Sequence, residues 1–269
     1  MALAEEPPNA ETPKAGDRAP GDAYLALDNV SLNYPVYNFE SRSIRNLVMA
    51  VGSGGKLRQT SRKFAVVEAL RDISVRIEHG DRLALVGLNG SGKSTLLKVM
   101  AGLITPSSGT VERRGKVITM FDLGLGMDED ATGYENIFLG GYYRGLSKKE
   151  ITRYADEIAE FSELGEYLAM PIRIYSMGMR MRLAFSIGTV IVPDILLIDE
   201  VMGAGDASFT KKAQARIDQL LSDSKIVVFA SHSDGLLSSI CNKGLLLHKG
   251  QVLAQGELGK VLEEYHRLF

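Results

Sequence analysis

Residues 87–95 read Gly-Leu-Asn-Gly-Ser-Gly-Lys-Ser-Thr, and no other stretch of the chain restricts the fold as much. Glycines at 87, 90 and 92 let backbone N–H groups converge without Cβ clashes. The spacing fits G-x-x-x-x-G-K-[ST] in full. Its flanks give that spacing physical meaning. Arg82–Val86 is a short apolar run that predicts a buried strand. Ser94–Leu103 places Leu96, Leu97, Val99 and Met100 as a helix would. Strand, glycine loop and helix N-terminus together form a cradle for phosphate oxygens. The cradle residues are Gly87, Leu88, Asn89, Gly90, Ser91, Gly92, Lys93, Ser94 and Thr95. Lys93 can reach the β- and γ-phosphates, and the Ser94 hydroxyl can ligate Mg²⁺. The segment predicts binding of a nucleoside triphosphate.

Two downstream segments extend this site. Ile195–Ile198 predicts a buried strand that delivers Asp199 to its C-terminal edge, where ligands bind in open α/β sheets. Asp199 can hold the Mg²⁺ shell there, and Glu200 beside it can polarise an attacking water. Lys225–Ala230 predicts a neighbouring strand, which brings Ser231-His232-Ser233 to the same edge. A lone histidine is more often structural than catalytic, but this position favours contact with the γ-phosphate. Tyr175–Arg182 precedes an apolar helical run, Leu183–Ile187, so Ser176 and Gly178 mark a second anion-binding helix end. One phosphate loop already serves the triphosphate of its own chain. The second end therefore fits the triphosphate of another copy, in a two-fold dimer with two shared sites.

The rest of the chain interleaves strands and helices, which predicts an α/β core with a mainly parallel sheet. Residues 24–34 and 72–78 alternate apolar and polar and read as strands; residues 116–123 read as another. Ser147-Lys148-Lys149-Glu150 predicts a capping box opening a helix to about Leu164. Residues 244–248 and 251–254 read as a hairpin around Lys249-Gly250, and a helix runs from about Glu257 onward. Residues 1–22 hold almost no large apolar side chains and are expected to be a disordered tail. Residues 39–63 form an insertion, within which Ile44, Leu47, Val48 and Val51 are spaced as on an amphipathic helix. Arg42, Arg45, Lys56, Arg58, Arg62 and Lys63 face the single acid Glu40 in this insertion. Two readings fit: a basic amphipathic element at a membrane surface or membrane-protein partner, and a solvated surface hairpin.

Bulk properties narrow the partners. A net charge of −2 argues against a general nucleic-acid surface. The lone Cys241 has no internal disulfide partner and reads as a small buried hydrophobe. The most apolar stretch, Ile187–Ile198, is interrupted by Pro193 and Asp194 and is too short to span a bilayer. Glu5 and Glu6 stand where a secretory signal would be basic. Any membrane role is expected to be peripheral.

Together these segments resemble the nucleotide-binding subunit of ATP-binding-cassette (ABC) transporters, from about Tyr24 to Phe269. The resemblance implies a P-loop NTPase domain over residues 23–269. Its parts would be a mainly parallel core sheet, an antiparallel β subdomain and a helical subdomain over about 125–185. It makes Gly87–Thr95 the Walker A loop, Asp199 part of Walker B, Glu200 the catalytic glutamate and His232 the switch histidine. It places an adenine-stacking aromatic at Tyr34, the signature at Ser176 and Gly178, and the D-loop around Asp206. ATP and Mg²⁺ are the implied cofactors, with Lys93, Glu200 and His232 acting in hydrolysis. Implied partners are a second copy of the chain and a separate transmembrane permease at the cytoplasmic face of the membrane.

Departures from the common pattern point to a subfamily. The signature reads Tyr175-Ser176-Met177-Gly178-Met179, and the segment that usually carries a glutamine reads Phe121-Asp122-Leu123-Gly124, with Asp122 as candidate substitute. With the insertion after Tyr34, these features resemble ATPases that export lipid-linked polysaccharides: O-antigen, capsule and teichoic acid. The resemblance is to the short form, without a C-terminal carbohydrate-binding domain. Two rivals are an ABC ATPase of another transport class and a soluble ABC ATPase acting on ribosomes or DNA. The insertion and altered motifs weigh against the first. A single cassette without a coiled coil or net basic charge weighs against the second.

Overall fold

The computed structural model describes residues 22–37, 56–61, 64–121, 123–199 and 207–269. Most of the expected tail and of the 39–63 insertion, with Asp122, Glu200 and Asp206, lies outside the described residues. In chain order the strands are β1 (Tyr24–Tyr37), β2 (Lys56–Ser61), β3 (Phe64–Glu78), β4 (Arg82–Val86), β5 (Ser108–Arg114), β6 (Val117–Thr119), β7 (Ile195–Asp199), β8 (Ile226–Ala230), β9 (Lys243–His248) and β10 (Gln251–Glu257). The helices are α1 (Lys93–Ala101), α2 (Gly133–Tyr143), α3 (Lys148–Ser162), α4 (Met177–Thr189), α5 (Ala207–Asp223), α6 (Asp234–Ile240) and α7 (Leu258–Leu268).

Two sheets enclose α1. The first has the order β10-β9-β4-β8-β7-β6, parallel throughout except for the β9–β10 hairpin. Its central strands are apolar apart from Arg82 at the start of β4 and Asp199 at the end of β7, because both faces are covered. The second is antiparallel, in the order β2-β3-β1-β5. Its alternation puts Leu25, Leu27, Ile73, Val75 and Ile77 on the inner face, where all five are buried with Leu96, Leu97 and Met100 of α1. Each fully buried Leu or Ile contributes about 1.5–3 kcal/mol by transfer from water.

A third layer is helical. Helices α2, α3 and α4 pack around Ile137, Ile151, Ile158, Leu183 and Ile187. The expected capping box at Ser147 is present: Ser147 Oγ accepts from the Glu150 N–H, and the Glu150 carboxylate accepts from the Ser147 N–H. A second box, Thr132 with Glu135, starts α2. Helix α2 has poor intrinsic propensity because of Gly140 and Gly141. Those glycines let its neighbours close in. A Cβ at Gly141 would lie 2.6 Å from Ile151 Cγ1, and one at Gly140 would lie 2.8 Å from Ile187 Cγ2.

Three boundaries differ from the sequence reading. The strand expected over 116–123 is only β6, and the polar segment before it forms β5 by pairing with β1. The strand expected from Asp72 begins at Phe64. Within the insertion, residues 56–61 are strand β2, paired antiparallel with β3.

Candidate functional site

The phosphate loop leaves β4 at Val86 and enters α1 at Lys93. Gly87, Gly90 and Gly92 have φ values of 146°, 76° and 110°, which L side chains rarely adopt. The loop is also pressed against its surroundings. A Cβ at Gly87 would lie 2.3 Å from the Leu247 carbonyl oxygen, so only glycine fits there. From the other side, the β9–β10 turn donates its Gly250 N–H to the Ser91 carbonyl at 2.9 Å. The Arg71 N–H of β3 donates to the Gly250 carbonyl at 2.8 Å. Gly92 caps α1 without a side-chain hydrogen bond, and the first turn of α1 carries no acid. The positive end of the helix dipole therefore faces the loop without an internal counter-anion.

Side chains complete the cradle. Lys93 is buried, and its Nζ donates to the carbonyl oxygens of Gly87 at 2.6 Å and Leu88 at 3.2 Å. Ser91 Oγ is buried with no hydrogen-bond partner among the described residues. An orphaned buried hydroxyl is costly, so its presence inside a glycine cradle fits a polyphosphate ligand. Leu88, Asn89, Gly90 and Ser94 are exposed along the mouth of the loop, and Thr95 is half-buried behind Ser94.

Parallel register brings Asp199 and the Ser231-His232 segment to the same edge. Leu85 of β4 is level with Ala230 of β8, and Ala230 is level with Asp199 of β7. The loop, the Ser231-His232 segment and Asp199 thus leave three adjacent strands at one height, with neighbouring strands about 4.8 Å apart. Asp199 is half-buried and His232 exposed at that edge. Tyr34 is an exposed residue of β1 paired with Val67 of β3. Two residues further along β3, the Ala69 carbonyl lies 3.3 Å from where a Gly92 Cβ would be. The antiparallel sheet therefore carries Tyr34 to the flank of the phosphate loop.

Ser176 and Gly178 lie on the helical layer instead. Ser176 caps α4, its Oγ accepting from the Met179 N–H at 3.2 Å. Helix α4 packs on α2, α3 and α5, whereas the phosphate loop packs on β3 and the β9–β10 turn. A Cβ at Gly178 would meet nothing nearer than Ser176 Oγ at 3.8 Å. Nothing in this chain's described packing demands a glycine there, in contrast to Gly87.

The structure adds features that the sequence reading missed. Gly250 reads locally as a turn residue, and only the fold shows it bonded to Ser91. A cleft of about 180 Å³ lies between the sheet edge and the helical layer, lined by Leu103, Val117, Leu125, Tyr143 and Arg144 among others. Arg144 donates to the carbonyl oxygens of Leu123 and Gly140, both at 3.0 Å, and burial pushes its pKa below the usual guanidinium range.

Comparison with known proteins decides the family. Residues 70–203 match the family model for the ABC transporter. The chain is 44% identical to the O-antigen export system ATP-binding protein RfbE of Yersinia enterocolitica, over 85% of this chain and 95% of that protein. The chain belongs to the ABC transporter family. This ABC ATPase is also 36% identical to the teichoic acids export ATP-binding protein TagH of Listeria innocua, over 90% of this chain and 69% of that protein. A solved structure of the ATP-binding cassette MJ0796, bound to ADP and Pi, shares the fold at a TM-score of 0.60 and 21% identity, covering 87% of this chain and 98% of that one. As an ABC subunit the chain binds ATP and hydrolyses it to drive transport. Among the described residues, no helix of this ABC ATPase is long and apolar enough to cross a membrane.

Proposed function

We propose that this ABC ATPase powers export of a lipid-linked polysaccharide as a homodimer bound to a separate permease at the cytoplasmic face of the membrane. The identity to RfbE over nearly the whole length of that O-antigen export protein carries the reading. The cleft at Leu103, Leu125, Tyr143 and Arg144 is the surface this reading assigns to the permease. Its aromatic rim is extended by the exposed Tyr142 of α2.

In this reading Tyr34 stacks on adenine, and the Gly87–Thr95 backbone with Lys93 and the Ser91 hydroxyl holds the triphosphate. Ser94 and Asp199 would hold Mg²⁺, which would offset charge on the phosphate oxygens. Glu200 takes a proton from the attacking water as its oxygen bonds to the γ-phosphorus, and the bond to the bridging oxygen breaks toward ADP. His232 donates toward the γ-phosphate. Ser176 and Gly178 of a second copy close the site from the opposite side.

The deciding experiment is genetic and chemical together. Loss of the gene should leave lipid-linked glycan inside the cell and remove it from the surface. Complementation should succeed with the intact chain and fail with Lys93→Ala. Normal surface glycan in the deletion strain would overturn the assignment of cargo.

A further inference from the structure

The segment that carries His232 leads into a short helix whose apolar contacts lie toward its far end. Helix α6 begins at Asp234, two residues after His232, and spans only Asp234–Ile240. Within it Leu237 alone is fully buried. Ile240 and the capping Cys241 pack into the same core as Leu237, so the apolar anchoring lies toward the C-terminal end of the helix and leaves the N-terminal turn, next to His232, less fixed. Its N-terminal turn has a second fixing point, from the other end of the sequence. His266 of α7 places Nε2 2.7 Å from Asp234 Oδ2. A carboxylate only accepts, so Nε2 carries the proton and donates.

Helix α7 is well placed to serve as the fixed side of that contact. Leu258 and Val261 are buried against β9, where Gly244 gives the helix room to approach; a Cβ at Gly244 would lie 2.9 Å from Val261 Cβ. Beyond His266, the Phe269 ring stands 5.0 Å from the His248 ring, at the end of β9. Two residues after His248, Gly250 bonds the phosphate loop at Ser91. The last turn of α7 thus touches both the helix that follows His232 and the hairpin that supports the phosphate loop. Asp234 is within about 7 Å of His232 along the backbone, so a tilt of α6 moves His232 directly.

We propose that His266 is a positioning residue for ATP hydrolysis, acting through Asp234 to orient the segment that presents His232 to the γ-phosphate. The inference rests on the role of His232 proposed above. It separates two functions of the site: nucleotide affinity belongs to the phosphate loop, whereas the His266–Asp234 contact bears on turnover.

Steady-state ATPase kinetics of the full chain test this. His266→Ala and Asp234→Ala should each lower kcat about three- to tenfold, with KM for ATP changed by less than about twofold. The double variant should be no slower than either single one, because both remove the same contact. His266→Gln, which keeps a donor, should recover at least about half of the lost kcat. Lys260→Ala, on an exposed face of α7, should leave kcat unchanged. Equal kcat in His266→Ala and the parent chain, even with a lowered melting temperature, would overturn the proposal by reducing the contact to a stabilising one. Additive losses in the double variant would overturn it too. His232→Ala run alongside separates the two layers of argument. If it loses hydrolysis while His266→Ala does not, the positioning role alone fails; if it keeps hydrolysis, both fail.

Discussion

Lys93 Nζ donates to the Gly87 carbonyl oxygen at 2.6 Å, closing a ring across the phosphate loop from its first glycine to its lysine. The cation is thus held at the loop by backbone, ready to exchange carbonyl oxygens for phosphate oxygens of greater charge. Lys93→Ala should reduce kcat for ATP hydrolysis by about a hundredfold or more, from loss of charge stabilisation at the transferring phosphoryl group. Far-UV circular dichroism should be unchanged, since Leu96, Leu97 and Met100 still anchor α1. Hydrolysis within threefold of the parent would remove Lys93 from the mechanism.

Gly178 offers a test of the shared site that leaves the fold alone. Its Cβ position is open apart from Ser176 Oγ, and it lies in the first turn of α4, which carries no acid. An aspartate there should suit the helix dipole, worth about 0.3–1 kcal/mol. Gly178→Asp should therefore melt at the same temperature as the parent or slightly higher. The same carboxylate would repel the triphosphate of a second copy. ATP-dependent dimerisation, followed by light scattering in a Glu200→Gln background, should disappear. Retained dimerisation would show that α4 does not face the nucleotide of a partner.

Much of the site was legible because it depends on local spacing. Glycine positions at 87, 90 and 92, the buried run before Asp199 and the run before Ser231-His232 each follow from a few neighbouring residues. Their convergence follows from one rule about parallel sheets, and the register of Leu85, Ala230 and Asp199 agrees with it. The parts that escaped are long-range. Strand β5 is almost wholly exposed and has no apolar alternation, so only its pairing with β1 makes it a strand. Helix α2 is glycine-rich for the sake of Ile151 and Ile187, which lie on the two helices that follow it in the layer. The Gly250–Ser91 bond and the His266–Asp234 contact join segments more than thirty residues apart, and no local pattern announces them.

Asp194 ties together the starts of three strands, and its charge state should be visible in stability. Its Oδ1 lies 2.7 Å from Lys225 Nζ, ahead of β8, and its Oδ2 accepts from the Lys116 N–H, ahead of β6, at 2.7 Å. The Lys225 side chain and then the Lys116 N–H hold the Asp194 carboxyl below its usual range. A depressed folded-state pKa means that the unfolded chain takes up the proton first as pH falls. The stabilisation is therefore full above the unfolded value near 4 and is lost as pH drops through the lower folded value. Asp194→Asn should cost about 1–2 kcal/mol in urea unfolding at pH 7, reduced from the buried limit because Lys225 is partly exposed. That difference from the parent should shrink as pH falls below about 4. A difference independent of pH would assign the effect to packing against Gly115, where an added Cβ would lie 2.7 Å from Asp194 Cβ, rather than to charge.

Cys241 should report the integrity of the sheet's helical face. It closes α6, its N–H donating to the Leu237 carbonyl at 2.8 Å, and its side chain is buried with Leu237, Leu258 and Val261. Burial pushes its thiol up to about 12, with Arg82 acting weakly in the opposite direction. The thiolate is the reactive form, so native protein at pH 8 should react with an aromatic disulfide reagent only as fast as it opens, whereas chain in 8 M urea should react at once. Linkage gives a second readout with a definite sign. The unfolded thiol ionises near 8.5 while the folded thiol keeps its proton, so stability falls as pH rises from there toward 12. Cys241→Ala has no proton to lose and should show a flatter decline over that interval. Its own cost should be about 1 kcal/mol, for one buried sulfur replaced by a small void. Rapid native labelling at pH 8, or parallel alkaline declines for Cys241→Ala and the parent, would mean that α6 does not seal this face.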